Sequence, residues 1–401
     1  MADPKPLKVA WFPYFPVEWL PDPPAELRDL PRQHPATWQR ILWDEFKADP
    51  RVSLDILVPR SQFPRSFKFE REGSRFHCIR TPPGLRAASR YWLDTFLIRR
   101  ELRRIQPDLV HGWGTEFGGA AIAGRVPYPA LVTMQGILTW CAEHFPLNRQ
   151  MRISCALEPR SLKRAKIVTC ESSFAKTYLS KHYPHLKILQ VEHAPNPLYT
   201  TVQRNPQTNP VRILCVASFI YGKGADLVLK ALDSLLPEHD FELIWLGSRD
   251  AGLEAQLRSA TSPALWPRVI FRNNVPPTEI AAEFERATFS ILATRADNSP
   301  NSVKESVVAG VPVIATNVGG IPDYVFPGKN GLLFENSSVQ DLARKIVEAL
   351  SHPMFSKGKV DEDTLRFTRD YLSAKTMAKK FFTAYETVLT ANGRSLTRIG
   401  Y

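Results

Sequence analysis

The 401 residues hold 52 Lys and Arg against 40 Asp and Glu, a net charge of +12, with 44% apolar and 23% charged residues. That length is too great for one ordinary core and points to two domains of water-soluble, globular composition. No window approaches the roughly 20 apolar residues a membrane span needs, and the five cysteines (Cys78, Cys141, Cys155, Cys170 and Cys215) stand singly, which argues against a disulfide scaffold and a zinc site.

In chain order, strands are expected at KVAWF (8–12), SLDILV (53–58), DLVHG (108–112), ALVTM (130–134), KIVTC (166–170) and KILQV (187–191), with helices around 37–47, 92–105 and 173–181. The start, MADPKPLKVAWFPYF, runs into the first strand without a long apolar stretch, so no secretory leader and a cytoplasmic location are expected. After a polar, proline-bearing stretch, QRNPQTNP (203–210), the pattern restarts. Strands follow at RILCVA (212–217), FELIWLG (241–247), RVIFR (268–272), FSILAT (289–294), VPVIAT (311–316) and GLLF (331–334), with helices near 338–351 and 374–391. Alternating strands and helices predict parallel α/β sheets. The expected architecture is two Rossmann-like domains, 1–200 and 201–375, facing across a cleft where strand C-termini place ligands. A final helix, 376–401, is expected to cross back to the first domain.

Arg99, Arg100, Arg103 and Arg104 in one helical stretch, and Arg160, Lys163, Arg164 and Lys166 in another, suit solvated helix faces, an anionic membrane surface or an acidic acceptor. No nucleic-acid-binding module accompanies them, so nucleic acid is not an expected partner.

The chemistry concentrates in ATRADNSPNSVKESVVAGVPVIATNVGGIPDYV (293–325). A strand ends in a loop bearing Asp297. A helix is expected to start near Ser299, capped by Asn298 or Ser299 with Pro300 in its first position. The first-turn amides, including those of Asn301 and Ser302, have no acceptor one turn back and form a ready diphosphate site. Glu305, deeper in the same helix, and Asp297 are carboxylates suited to paired hydroxyls of a ribose or hexose rather than to phosphate. Lys223, between Gly222 and Gly224 in a strand-to-helix loop, can bring a point charge to phosphate oxygens.

These residues resemble the retaining GT-B glycosyltransferases of family four. Asp297 and Glu305 match the family's Glu-x7-Glu pair, AGVPVIATNVGGIPDYVFPGKNGLLF its G-x-PVI, GG-x-x-E and nGll elements, and RILCVASFIYGKGADLVLKAL (212–232) the start of its second domain. PDLVHGWGTEFGGAAIA (107–123) and EHAPNPLY (192–199) resemble its first-domain and linker elements. The resemblance implies a nucleotide-sugar donor, with Glu305 on the ribose, Asp297 on the sugar, Lys223 on the diphosphate and the Gly319–Gly320 turn close to the ligand. It also implies retention of anomeric configuration. The acceptor is expected to be a glycan or lipid-linked, the arginine-rich helices suiting the latter, and its identity is not given by the sequence.

Three departures from the family pattern stand out. Ser218 replaces an arginine that binds diphosphate, with Arg249 and Arg295 as candidate substitutes. The first acid is Asp rather than Glu. Gln135 in TMQG stands where a histidine is usual, and glutamine cannot take a proton. His111, ending a buried strand beside Glu116, is the other first-domain candidate. With Gln135 and Asp297 it makes up the expected catalytic set.

Asp361-Glu362-Asp363 reads as an exposed helix start rather than a metal motif, and no metal or cofactor is expected. The rival readings are a transferase-like protein that binds a nucleotide sugar without turnover, and a nucleotide-sugar epimerase of the same fold.

Overall fold

The computed structural model describes residues 5–394. The chain divides into two units: residues up to His193 together with those from Ala374 onward, and Ala194–Ser373.

The first unit is built on eight strands: β1 (Leu7–Phe12), β2 (Val52–Arg60), β3 (Phe67–Arg71), β4 (Ser74–Arg80), β5 (Leu109–Trp113), β6 (Ala130–Met134), β7 (Ile167–Cys170) and β8 (Lys187–Gln190). They lie in the order β3-β4-β2-β1-β5-β6-β7-β8. All neighbours are parallel except β3 and β4, a hairpin turning through Glu72 and Gly73. Both turn residues have positive φ, 48° and 75°, the geometry of a two-residue turn that matches strand twist. This hairpin is absent from the sequence expectation. Its alternation, FKFER then SRFHCIR, is interrupted by charges because β3 is an edge strand with one half-exposed face.

The helix Ala374–Thr390 belongs to this first unit. Met377, Phe381, Ala384, Tyr385 and Val388, spaced as one helical face, are buried. The Tyr385 hydroxyl accepts a 2.9 Å hydrogen bond from Trp11 Nε1.

The second unit carries β9 (Val211–Val216), β10 (Phe241–Leu246), β11 (Val269–Arg272), β12 (Phe289–Leu292), β13 (Val313–Thr316) and β14 (Gly331–Phe334), in the order β11-β10-β9-β12-β13-β14. Every pair is parallel. Ile213, Leu243, Trp245 and Ile291 pack on one face, Leu214, Ile244, Leu292 and Val313 on the other. Burial on both faces is why these strands read as unbroken apolar runs. Strand order reverses between β9 and β12, which makes their C-terminal ends the topological switch point where such sheets bind ligands. The stretch read as a linker enters this unit, and Arg204 anchors it by donating to the carbonyls of Ala287 (2.6 Å) and Gly358 (2.8 Å).

Candidate functional site

At the switch point of the second unit, the loop after β9 runs from Ser218 through a short 3-10 turn, Tyr221–Lys223, to Gly224. Gly224 has φ +71°, and a Cβ there would lie 1.9 Å from the Ala293 carbonyl oxygen. Only glycine lets this loop press against the end of β12, and that contact sets Lys223 beside the next loop. There Lys223 Nζ forms an ion pair with Asp297 Oδ2. The other carboxylate oxygen, Oδ1, accepts from the Ser299 amide at 3.2 Å.

Gly319 makes a second close approach. Its φ is +57°, and a Cβ would meet the Asp297 carbonyl oxygen at 1.8 Å. Gly320 N donates to the Asn298 carbonyl at 2.9 Å. The glycine pair expected to approach a ligand thus lies against the backbone of the Asp297 loop, which it holds in place.

The helix is Asn301–Ala309, one residue later than expected: Pro300 is its N-cap rather than its first residue, and no side chain caps it. Ser299 Oγ is engaged instead with the Tyr324 hydroxyl, 2.9 Å away. The amides of Asn301 and Ser302, both half-buried, head the helix and have no acceptor one turn back. Glu305, half-buried, makes no hydrogen bond or ion pair with any described residue. Desolvation pushes its carboxyl up to about 7, against the opposing pull of Lys304.

In the first unit, order reverses between β1 and β5. His111, on β5, is fully buried with both ring nitrogens engaged: Nδ1 with the Tyr385 hydroxyl at 2.9 Å and Nε2 with Thr133 Oγ1 at 2.6 Å. Thr133 continues to Thr169 Oγ1 at 2.6 Å. Trp11 Nε1 can only donate, so the Tyr385 oxygen accepts from it while also pairing with His111 Nδ1. Burial and the neighbouring His193 hold the His111 pKa well below the ordinary value. His111, expected as part of the catalytic set, lies in the core, where this row of hydrogen bonds ties β1, β5, β6, β7 and the last helix together.

Past the end of β5 stands Glu116, half-buried. Its Oε1 accepts from the Gly136 amide at 2.8 Å, while Oε2 is buried without a hydrogen-bond partner. A Cβ on Gly114 would meet Glu116 Oε2 at 2.2 Å and Gln135 Oε1 at 2.8 Å, so the two side chains converge over this glycine. Desolvation raises the Glu116 carboxyl to about 7, with a smaller push from Glu158. Sequence reading kept Glu116 only as a neighbour of His111. Its place immediately beyond a strand end, at the switch point, was the signal that favoured it.

Residues 51–198 match the model described as Glycosyltransferase Family 4, and residues 210–352 that described as Glycosyl transferases group 1. The chain belongs to the family 4, group 1 glycosyltransferases. It is 22% identical over 242 residues to an uncharacterized glycosyltransferase of Methanocaldococcus jannaschii, covering 60% of this chain and 63% of that one, so it spans less than two thirds of that relative's length. A sucrose-phosphate synthase structure from Thermosynechococcus elongatus superposes with a TM-score of 0.75 at 15% identity, covering 96% of this chain and all of that one. Anabaena HepE in complex with UDP-glucose gives 0.67 at 14%, covering 95% and 100%. The two structures establish the GT-B fold.

In this chain, the substitute cations are already engaged. Arg295 is bidentate on Asp226, 2.9 Å to each oxygen, and lies 3.6 Å over the Tyr221 ring. Arg249 faces Glu254 at 3.4 Å. Ser218 Oγ accepts from Ser248 Oγ at 3.0 Å. Lys223 is a cation that the second unit brings to its switch point, where it pairs with Asp297. Asp361, in the acidic triplet, caps the helix Glu362–Tyr371 through the Thr364 amide at 2.8 Å. Among the described residues, no group of three or more His, Cys, Asp or Glu could hold a metal ion, and no helix is long and apolar enough to cross a membrane.

Proposed function

We propose that this chain transfers a sugar from a nucleotide-sugar donor to a glycan or lipid-linked acceptor, with retention of configuration and without a metal. The observation that carries this reading is Glu305: a half-buried carboxyl, one turn past a helix start, that makes no hydrogen bond or ion pair with any described residue. Partial burial makes ionisation of this carboxyl costly, and hydroxyl donors of a ligand would offset that cost. In this reading the amides of Asn301 and Ser302 and the ammonium of Lys223 stabilise the leaving diphosphate. Glu305 accepts from two ribose hydroxyls, and Asp297 from a sugar hydroxyl once Lys223 turns to phosphate.

On the acceptor side, Gln135 and Glu116 offer hydrogen bonds to the incoming hydroxyl, and the departing phosphate takes its proton. Glutamine at position 135 fits a reaction that needs no protein base there. The site of action in this reading is the cytoplasm, with peripheral contact to anionic membrane when the acceptor is lipid-linked.

The test is a panel of UDP-, GDP- and ADP-sugars scored by thermal shift, since a ligand of the native state raises its melting temperature. Transfer to candidate acceptors follows with the donor so found. No stabilisation by any donor refutes the reading, and inversion at the anomeric carbon, seen by NMR of the product, refutes retention.

A second reading, donor binding without turnover, is favoured by one observation: Ser218 is neutral and Arg295 is neutralised by Asp226. Stabilisation by a donor with neither hydrolysis nor transfer selects it.

A further inference from the structure

A cavity of about 310 Å³ in the first unit is lined by Arg90, Trp92, Arg125, Arg160, Ser161 and Arg164, with small apolar contributions beneath, and by no carboxylate. Four guanidinium groups therefore share one concavity. Arg90, Arg160 and Arg164 are exposed, and their side chains make no hydrogen bond or ion pair with any described residue. Arg125 is turned inward: it donates to the Arg90 carbonyl at 2.9 Å, lies 4.3 Å over the Trp92 ring, and keeps its Nε buried without a partner.

Chance placement accounts poorly for this. Cations at helix C-termini are favoured by the backbone dipole. Arg160 sits in the last turn of the helix Arg149–Leu162, and Arg125 follows Gly119–Ala123. That effect explains one cation at each end. It does not explain four converging without a counter-charge, where Arg164 already opposes the charge on Arg125.

The rim carries a second feature. Trp92 and Phe96, one turn apart on the helix Trp92–Ile105, are 58% and 67% exposed. Arg99, Arg100 and Arg103 continue the exposed side of that helix.

We propose that this pocket binds a phosphate group, held by the guanidinium fork geometry of Arg125, Arg160 and Arg164. The phosphate is either that of a soluble ester or that of an anionic phospholipid headgroup, with Trp92 and Phe96 entering the lipid interface in the second case. The site lies wholly in the first unit and shares no residue with the proposed donor site.

Two probes test it: inorganic pyrophosphate by titration calorimetry, and flotation with phosphatidylcholine vesicles with and without phosphatidylglycerol. The exposed double variant R160A/R164A, checked for unchanged melting temperature, weakens whichever probe binds by about tenfold or more. Lys223→Ala leaves that signal in place, which separates this pocket from the donor site. Loss of vesicle binding with retention of pyrophosphate binding in Trp92→Ala assigns the phosphate to a lipid. Pyrophosphate binding without vesicle binding in the unsubstituted chain assigns it to a soluble ester. Binding of neither probe, or equal binding by R160A/R164A and the unsubstituted chain, overturns the proposal, whatever the donor panel shows.

Discussion

Lys223 Nζ and Asp297 Oδ2 are paired across the switch point of the second unit, their side chains 33% and 17% exposed. In the proposed function a donor diphosphate competes with Asp297 for the ammonium, so that binding exchanges one charge-assisted contact for another and frees the carboxylate. Lys223→Ala should weaken donor affinity by about 10- to 100-fold, the worth of one hydrogen bond to a charged group. Asp297→Asn should leave affinity within a few-fold and lower kcat. Calorimetry with the donor found in the panel, and initial rates, separate the two.

Glu305 supplies a pH dependence. Its carboxyl titrates near 7 in the folded chain, and the ribose-accepting form is the ionised one. Donor affinity should therefore rise with pH below about 7, by at most about tenfold per unit, and level off above it. Glu305→Gln should flatten the profile and weaken binding. Affinity measured on either side of neutrality checks both, and an unchanged profile in the variant removes Glu305 from the ribose.

Stability should move the other way. Glu116 and Glu305 both have folded pKa values raised from 4.5 to about 7, so the folded state holds protons that the unfolded chain has released in that interval. Their contribution is full below about 4.5 and is lost as pH rises through about 7. Glu116→Gln should reduce this fall and raise the urea midpoint above pH 7, at the expense of acceptor turnover. Urea titrations at several pH values, analysed at constant m, read the difference.

Tyr385→Phe deletes one oxygen and leaves Trp11 Nε1 and His111 Nδ1 without partners in the core. A cost of about 1–3 kcal/mol is expected, with donor binding by the second unit unchanged. Chemical denaturation followed by Trp fluorescence measures the first, and the donor thermal shift the second.

Much of this was legible in the residues. The strands of both sheets announced themselves as apolar runs, and the Asp297–Glu305 spacing located the helix that heads the proposed donor site. What stayed hidden depends on distant partners. The pairing of Arg295 with Asp226 spans 69 positions and engages a cation that the sequence offered as a phosphate ligand. His111 looks the same in sequence whether its nitrogens meet a substrate or Tyr385, 274 residues away. Pro300 fell one place outside the helix because Ser299 is drawn to Tyr324 rather than to the helix amides. The β3–β4 hairpin was hidden by its own charges, which an edge strand places toward water.

The hydrogen-bonded row from Trp11 through Tyr385 and His111 to Thr169 has a bearing on how the chain matures. Its tyrosine is translated after the whole of the second unit, yet it closes the centre of a sheet whose first strand begins at Leu7. On the ribosome the second unit can reach its final form while the first still lacks its closing segment. Completion of the N-terminal half thus waits for a segment encoded beyond the whole of the second unit to leave the exit tunnel.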